Sequence, residues 1–490
     1  MGRLTGDDYF AVELQAHNRK SKRPVVQSHL PGTAAGTQRL FGLQSISHIS
    51  PSHNASSLAL CPGFEAPLVP FLTWRHSLRY GRDTAVANVI TGPALELLIQ
   101  TIVKMHFASL LTLLSTLGAV SASPRFGTRG HHFRRAGTGN DTTNPFDGKK
   151  LYANPDWADK LEQTHDAFVA KGDTVNAGKV RTIQDIGTFV WIADVSGLAN
   201  IDTAIERARA VQSKTGEQQI VGLVLYDLPD RDCSAGESAG EFSSENNGLE
   251  LYKETFVKPY AEKLAAASDL TFAVVLEPDS LANLVTNLGI EFCAKAQPVY
   301  EDGIAYAISS LQYDHVNLYI DAAHGGWLGW NDNLEPSAKL FAKVVQKAGN
   351  NTKIRGFSTN VSNYNPFHAN PRANYTEWSN SYDENNYALS LSPYLEAEGL
   401  PSRFIIDQGR VSNSRAEWGE WCNVHPAGFG MQPGTPVNNT HIDSIVWVKP
   451  GGESDGRCGL EGAPRAGAWF DEYVQMLVEN ADPSILPSDA

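Results

Sequence analysis

The chain has 490 residues, a net charge of −14 and 42 % apolar residues, the balance of an ordinary globular protein. That acidity excludes nucleic-acid binding, which needs a basic face, and is neutral toward an uncharged substrate. The length admits two or three domains, or one α/β barrel with further segments.

In chain order, residues 1–104 show no clear periodicity and read as an extension with no fold assigned, ahead of a natural start at Met105. Residues 105–122 carry an apolar core from Phe107 to Leu117 and small residues at Val120 and Ala122, the form of a secretory signal peptide. The rival reading, a transmembrane anchor, is interrupted by Gly92-Pro93, Glu96 and Lys104. Residues 123–144 are polar and basic, with Arg134-Arg135, and read as a flexible leader. Residues 145–490 read as one catalytic domain, secreted and extracellular, without a membrane segment once the signal is removed, and monomeric.

Within that domain short apolar runs predict strands at Phe189–Ala193, Ile220–Tyr226, Phe272–Leu276, Val316–Ile320, Ile354–Phe357, Phe404–Ile406 and Ile445–Val448. Amphipathic stretches at Asp202–Lys214, Leu249–Ala267, Gln297–Leu311 and Pro336–Ala348 predict helices between them. Strands alternating with helices predict an α/β fold, a parallel barrel of the TIM type with its active site at the rim formed by the strand C-termini. An open doubly wound sheet is the alternative. No Gly-rich turn follows the first strand, so a dinucleotide site has no support.

Each strand ends in polar or aromatic residues. Trp191 lies in the first. The second ends in Tyr226-Asp-Leu-Pro-Asp-Arg-Asp-Cys233 and the third in Glu277-Pro-Asp279. The fourth leads into Asp321-Ala-Ala-His-Gly-Gly-Trp-Leu-Gly-Trp330, the fifth into Asn360 and Asn363-Tyr364, and the sixth into Asp407-Gln-Gly-Arg410. Lys449-Pro-Gly-Gly-Glu-Ser-Asp455 follows the seventh, in a loop that Gly451-Gly452 would make mobile. Asp232 and Asp279 are candidate acids, because an acid kept protonated near neutrality needs desolvation or an adjacent anion. Arg231 and Tyr226 are placed to hold the neighbouring carboxylate and a sugar. Trp191, Trp327, Trp330 and Trp421 offer flat faces on which pyranose C–H faces can stack. His324 reads as a hydrogen-bonding residue rather than a base. Gly236-Glu-Ser-Ala-Gly240 matches a serine-hydrolase pattern but lies in a polar loop, without the strand-to-helix turn such a nucleophile needs.

Cys233, Cys293, Cys422 and Cys458 form an even set that suggests two disulfides. Three pairings are possible, and sequence order favours Cys233–Cys293 and Cys422–Cys458. No cysteine, histidine and carboxylate set has metal-ligand spacing, so neither a metal nor a cofactor is expected. Glycosylation sequons stand at Asn140, Asn350, Asn360, Asn374 and Asn438.

Four stretches, Tyr226 to Cys233, Leu276 to Val285, Gly325 to Trp330 and Val446 to Glu453, resemble glycoside hydrolase family 6, the cellulases that include cellobiohydrolases and endoglucanases. The likeness spans about residues 145–484. It implies a distorted seven-stranded α/β barrel that hydrolyses β-1,4-glucan with inversion. It implies Asp279 as general acid, Asp232 as the residue that keeps that acid protonated and serves a water chain, and Asp455 as candidate base. It further implies Ser238 as a water-holding serine, Tyr226 as the residue distorting the central sugar, and Lys449, Glu453, His324, Asn363 and the four tryptophans as sugar-binding. An inverting pair stands about 6.5–9.5 Å apart to admit water. The sequence departs from tunnel-forming members at Ser454, where they carry cysteine, and in the short stretch from Gly456 to Arg465. The expected activity is therefore endo or mixed cleavage of cellulose or soluble β-1,4-glucan in an open cleft. A strict cellobiohydrolase is the alternative, and a non-catalytic glucan-binding protein is the rival of another class.

Overall fold

The computed structural model describes residues 143–488. The readings made for residues 1–104, the signal peptide, all but the end of the leader and the Asn140 sequon lie outside the described residues. No helix among the described residues is long and apolar enough to cross a membrane.

The domain is an α/β barrel built strand by strand. Strand β1 (Lys150–Leu151) is followed by helices α1 (Pro155–Ala170) and α2 (Thr174–Gln184), strand β2 (Val190–Ile192), helix α3 (Ala199–Thr215) and strand β3 (Gln219–Leu225). Helix α4 (Gly248–Leu251) runs through a π-helical segment, Tyr252–Val257, into α5 (Lys258–Ala265). Then come β4 (Thr271–Leu276), α6 (Ser280–Thr286), α7 (Glu291–Ser310), β5 (Val316–Asp321) and α8 (Asn331–Ala348). The chain continues with β6 (Gly356–Thr359), α9 (Glu384–Ala397), β7 (Phe404–Asp407), β8 (Ile442–Val446) and α10 (Asp471–Glu479). Local chemistry sets several helix starts: Asn154 and Asp173 cap α1 and α2 by accepting the backbone N–H groups of Asp156 and Asn176.

All pairings are parallel, in the order β1-β3-β4-β5-β6-β7-β8, with β2 also beside β3. Thus β1 and β2 share one edge position and seven positions result, as the strand count predicts. The two-residue β1 escapes sequence pattern because it is too short to alternate. The β6 run lies two residues later than predicted and β8 begins three residues earlier, since both strands are flanked by other apolar residues. The barrel does not close by a ladder. The gap between β2 and β8 is bridged by the Phe189 N–H donating to the Trp447 carbonyl at 3.0 Å and the Trp191 indole N–H donating to Val448 at 2.9 Å.

Strand residues alternate between two apolar environments, because successive side chains face opposite ways and parallel sheets are covered on both faces. In β3 and β4, Val221, Leu223, Leu225, Phe272, Val274 and Leu276 pack under the helices. Ile220, Val224, Ala273 and Val275 point into the barrel with Phe189, Tyr319, Ile405 and Val446. That interior is narrow: a Cβ on Gly222 would lie 2.5 Å from the Phe189 ring, so only glycine fits there.

Asn360 corrects one expectation. It is fully enclosed and its amide donates to the carbonyls of Asn365 and Asp407 at 2.9 and 2.8 Å, leaving no room for a glycan. Asn350, Asn374 and Asn438 are exposed.

Candidate active site

Beyond the strand C-termini the backbone is held in an unusual state. Asp230, Asp232, Glu277, Asp279, Ala323, Asn360 and Ser362 all have positive φ, between 46° and 67°. Non-glycine residues persist there only where the surroundings over-determine them, and such positions gather at functional sites.

What holds them is a set of strand-end acids that accept backbone N–H groups from neighbouring loops. Glu277 accepts from Asp227 at 3.0 Å and Leu228 at 3.3 Å, and from the Tyr252 hydroxyl at 2.9 Å. Asp321 accepts from Asp279 at 2.9 Å and Ala323 at 3.1 Å. Asp407 accepts from Ser362, Gly409, Val448 and Lys449 at 2.9–3.2 Å, tying the loops after β6 and β8 to its own. Glu277 and Asp321 each anchor the loop that follows the preceding strand, and Asp407 anchors the loops on both sides of its own.

Asp279 is held by this frame through its backbone N–H, and its carboxyl lies among other acids. Burial, then the charges of Asp321, Asp232 and Asp455, raise it well above the ordinary carboxylate range. Burial also raises Asp321, but the donated N–H groups of Asp279 and Ala323 stabilise its anion. The pair is therefore unequal, since two N–H donors favour the charged form of Asp321 while burial and the acidic neighbours disfavour that of Asp279. The sequence reading assigned the task of keeping Asp279 protonated to Asp232 alone and did not select Asp321, although Asp321 closes a predicted strand in the same way. Asp232 is raised by burial too, against the N–H of Ser238, which donates to its Oδ2 at 2.8 Å.

The loop carrying Ser238 is fixed at both ends. Cys233–Cys293 ties it to α7, and the Arg231 guanidinium donates to the Ser238 carbonyl at 2.8 Å. Arg231 also donates to Ala193 at 2.8 Å, to the Tyr226 carbonyl and to Asp227 at 3.2 Å, while stacking 4.3 Å from the Tyr226 ring centre. It thus grips the loop from beneath and pairs with Asp227, where sequence suggested the cleft acids. Tyr226 meets Trp191 edge to face, with ring centres 5.3 Å apart.

Asp455 is paired with two cations. Its Oδ2 accepts from Arg410 at 2.7 Å, the Asn423 N–H at 2.9 Å and the Tyr364 hydroxyl at 3.2 Å, and Lys449 Nζ lies 3.7 Å from Oδ1. Burial alone would raise it, but Arg410 and Lys449 outweigh burial and hold it below its ordinary value. Lys449 itself is lowered by burial and sits 5.5 Å from the Trp191 ring centre. Glu453 pairs with Lys160 at 3.0 Å. Gly451 and Gly452 do not make this loop mobile. Side chains there would strike Phe429 and Val474 at 2.4 and 2.3 Å, so these glycines serve close packing.

Ser454 is fully buried and donates to Pro464 at 3.0 Å, drawing together the ends of the short following loop, whose middle Cys458–Cys422 pins down. The Glu237 carboxylate lies 2.7 Å from where a Cβ on Gly456 would stand, so the loops after β3 and β8 meet there. Both disulfides match the pairing favoured by sequence order.

Of the sugar-binding candidates, Trp327 donates its indole N–H to Thr286 at 2.8 Å and Trp330 to Gly326 at 3.0 Å, fixing both rings on their Gly-rich loop. Trp421 is exposed beside Cys422. Nδ1 of His324 faces the Gly326 N–H at 3.2 Å and the Asn365 amide at 2.9 Å, and burial lowers the ring to about 4, so it is a neutral anchor of that loop. The Asn363 amide turns back onto Val361 at 3.0 Å. Among the described residues, one set of potential ligand atoms, Glu162, His165 and Asp166, falls within 4.8 Å, on α1 rather than at the strand ends.

Glu384, fully enclosed beneath the Trp loop, accepts from Gly325 and Asn365 at 2.9 and 3.0 Å and is raised by burial to about 7 from 4.5. A raised carboxyl contributes its stabilisation below the unfolded value and loses it as pH rises through the folded one. Stability should therefore fall as pH rises between about 5 and 7, and Glu384→Gln should flatten melting temperature against pH there by one proton's worth. An unchanged slope would show the group already ionised.

The family model for glycosyl hydrolases family 6 matches residues 146–481. A 1,4-beta-D-glucan cellobiohydrolase, CEL6B, of Podospora anserina is 63 % identical over 351 residues, covering 70 % of this chain and 84 % of that one. Endoglucanase-6B of Humicola insolens is 55 % identical over 345 residues, covering 70 % and 99 %. Its solved structure aligns with a TM-score of 0.68, and that of CcCel6C, a family 6 enzyme of Coprinopsis cinerea, with 0.69 at 46 % identity, covering 71 % of this chain and 100 % of that one.

Proposed function

Because the chain belongs to glycosyl hydrolases family 6 and is a cellulase-type glycoside hydrolase, we propose that it cleaves β-1,4-glucosidic bonds of cellulose chains by single displacement with inversion. The observation that carries this is the unequal pair formed by Asp279 and Asp321. Burial and the surrounding acids favour the proton on Asp279, and the N–H donors favour the charge on Asp321. Asp279 gives that proton to the departing glycosidic oxygen, breaking the bond to the anomeric carbon as water attacks from the opposite face. The water is held by Ser238, and its proton passes toward Asp232, whose carboxylate already accepts the Ser238 N–H.

Asp455 is less suited to be the base. One of its oxygens is occupied by Arg410, Asn423 and Tyr364 and the other lies 3.7 Å from the Lys449 ammonium, and an acid held below its ordinary value is a weak proton acceptor. Its role is to hold Lys449 beside Trp191, where the ammonium can meet a bound sugar's hydroxyls.

We further assign endo or mixed action to a secreted enzyme. The loop after Asp455 is too short and too firmly pinned to wrap a chain as a long strap, although Glu237 meets it at Gly456. The two disulfides fit an oxidising, extracellular setting. Two assays test the reading. NMR of fresh product should show the α-anomer first, and a β-anomer would overturn inversion. Viscosity of a soluble substituted cellulose should drop well before reducing sugar accumulates, and parallel changes would instead mean release from chain ends.

A further inference from the structure

Beyond Trp330 the aromatic surface continues. The Trp418 indole meets Trp330 edge to face at 5.4 Å and Tyr375 at 5.8 Å, so three rings run in contact from the Gly-rich loop to the loop after β6. Their placement is rigid. Gly326 backs directly onto Trp418, where a Cβ would come within 2.4 Å of the indole, and the Tyr375 hydroxyl donates to the Ala416 carbonyl at 2.9 Å. Three residues past Tyr375 stands Trp378, 80 % exposed.

Trp378 is not exposed because its loop is loose. Thr376 and Ser379 on either side are buried. Arg372 clamps the turn by donating to the Thr376 hydroxyl at 3.1 Å, to its carbonyl, and to the Ser379 carbonyl at 2.8 Å, while stacking 4.4 Å from the Tyr382 ring centre. A braced backbone thus presents the largest apolar side chain to water. Such exposure brings no packing gain, and its place three residues from the end of the Trp330–Trp418–Tyr375 row makes Trp378 a candidate contact residue.

We propose that Tyr375, which ends the row begun by Trp330, and Trp378, three residues further along the same braced turn, form an outer aromatic platform that docks the enzyme on the glucan chains of insoluble cellulose. This rests on the glucanase reading above. The occupant follows from that continuity: equatorial pyranoses present flat C–H faces, and an indole standing clear of the cleft suits a surface rather than an enclosed strand. Asn374, part of an exposed sequon one residue before Tyr375, could place a glycan against the same ring, so the test is made in an Asn374→Gln background.

Adsorption to insoluble cellulose is measured for the Asn374→Gln protein with and without Trp378→Ala and Trp378→Tyr, alongside hydrolysis of cellotetraose. Trp378→Ala should lower the partition coefficient about three- to tenfold, the range for loss of one aromatic contact, and lower the ratio of insoluble-cellulose to cellotetraose turnover with it. Trp378→Tyr should restore most of both. Equal adsorption with and without the indole, or no adsorption by the parent, overturns the platform. Failure of the parent to hydrolyse cellotetraose would instead overturn the glucanase reading on which it stands.

Discussion

Asp279→Asn is expected to lower kcat on cello-oligosaccharides by about 10²- to 10⁴-fold, the usual contribution of a positioned general acid. Binding should survive, because the Asp279 backbone N–H that docks on Asp321 is kept, and so is the frame of strand-end acids. The loss should shrink on a cellobioside whose leaving group is an acidic phenol or fluoride, since such a group departs without protonation. That dependence on leaving group separates a missing proton from a damaged fold. Comparable losses on both substrates would mean that Asp279 is structural. A small effect on both would remove the acid from the mechanism.

The second large effect is expected at Arg410, which is buried away from any substrate. Arg410→Met should destabilise the protein by about 3–5 kcal/mol, the range for removing one partner of a buried ion pair, read by urea denaturation at neutral pH. Arg410 and Asp455 are almost wholly enclosed, and the pair at 2.7 Å is reinforced by Arg410 donating to Ser362 and stacking 4.5 Å from the Tyr364 ring centre. The sign with pH should also invert. In the parent, Asp455 is held below its ordinary value, so its contribution is present above that value and lost as pH falls. Without Arg410, burial dominates and raises the group, so the variant should recover relative stability toward acid pH. Adding Asp455→Asn should restore part of the loss at pH 7. Additive losses in the double variant would show that the two residues are not energetically paired.

Sequence legibility followed a physical line. The buried parallel strands were readable because they are apolar on both faces, so Ile220–Tyr226 and Phe272–Leu276 fall almost where the pattern places them. The acids at their ends were readable for the same reason, since polar residues that close an apolar run must lie at the rim. The disulfide pairing was readable from chain order. The harder cases were residues whose meaning depends on the next strand. Asp321, Arg410 and Trp418 look no different in sequence from Asp407, Arg231 or Trp421. Gly451-Gly452 looked like a hinge and proved to be a packing contact, because nothing local announces the Phe429 and Val474 side chains pressed against them.

By itself the sequence indicated seven strand positions, the polar rim, a favoured cysteine pairing and most of the acids gathered at that rim. Tertiary structure decided which acid keeps its proton. Proton affinity in a desolvated site depends on charges and N–H donors only a few ångströms away. For Asp279 those neighbours come from β5, from the Ser238 loop and from the loop after β8. They are remote along the chain and adjacent only when the barrel curls.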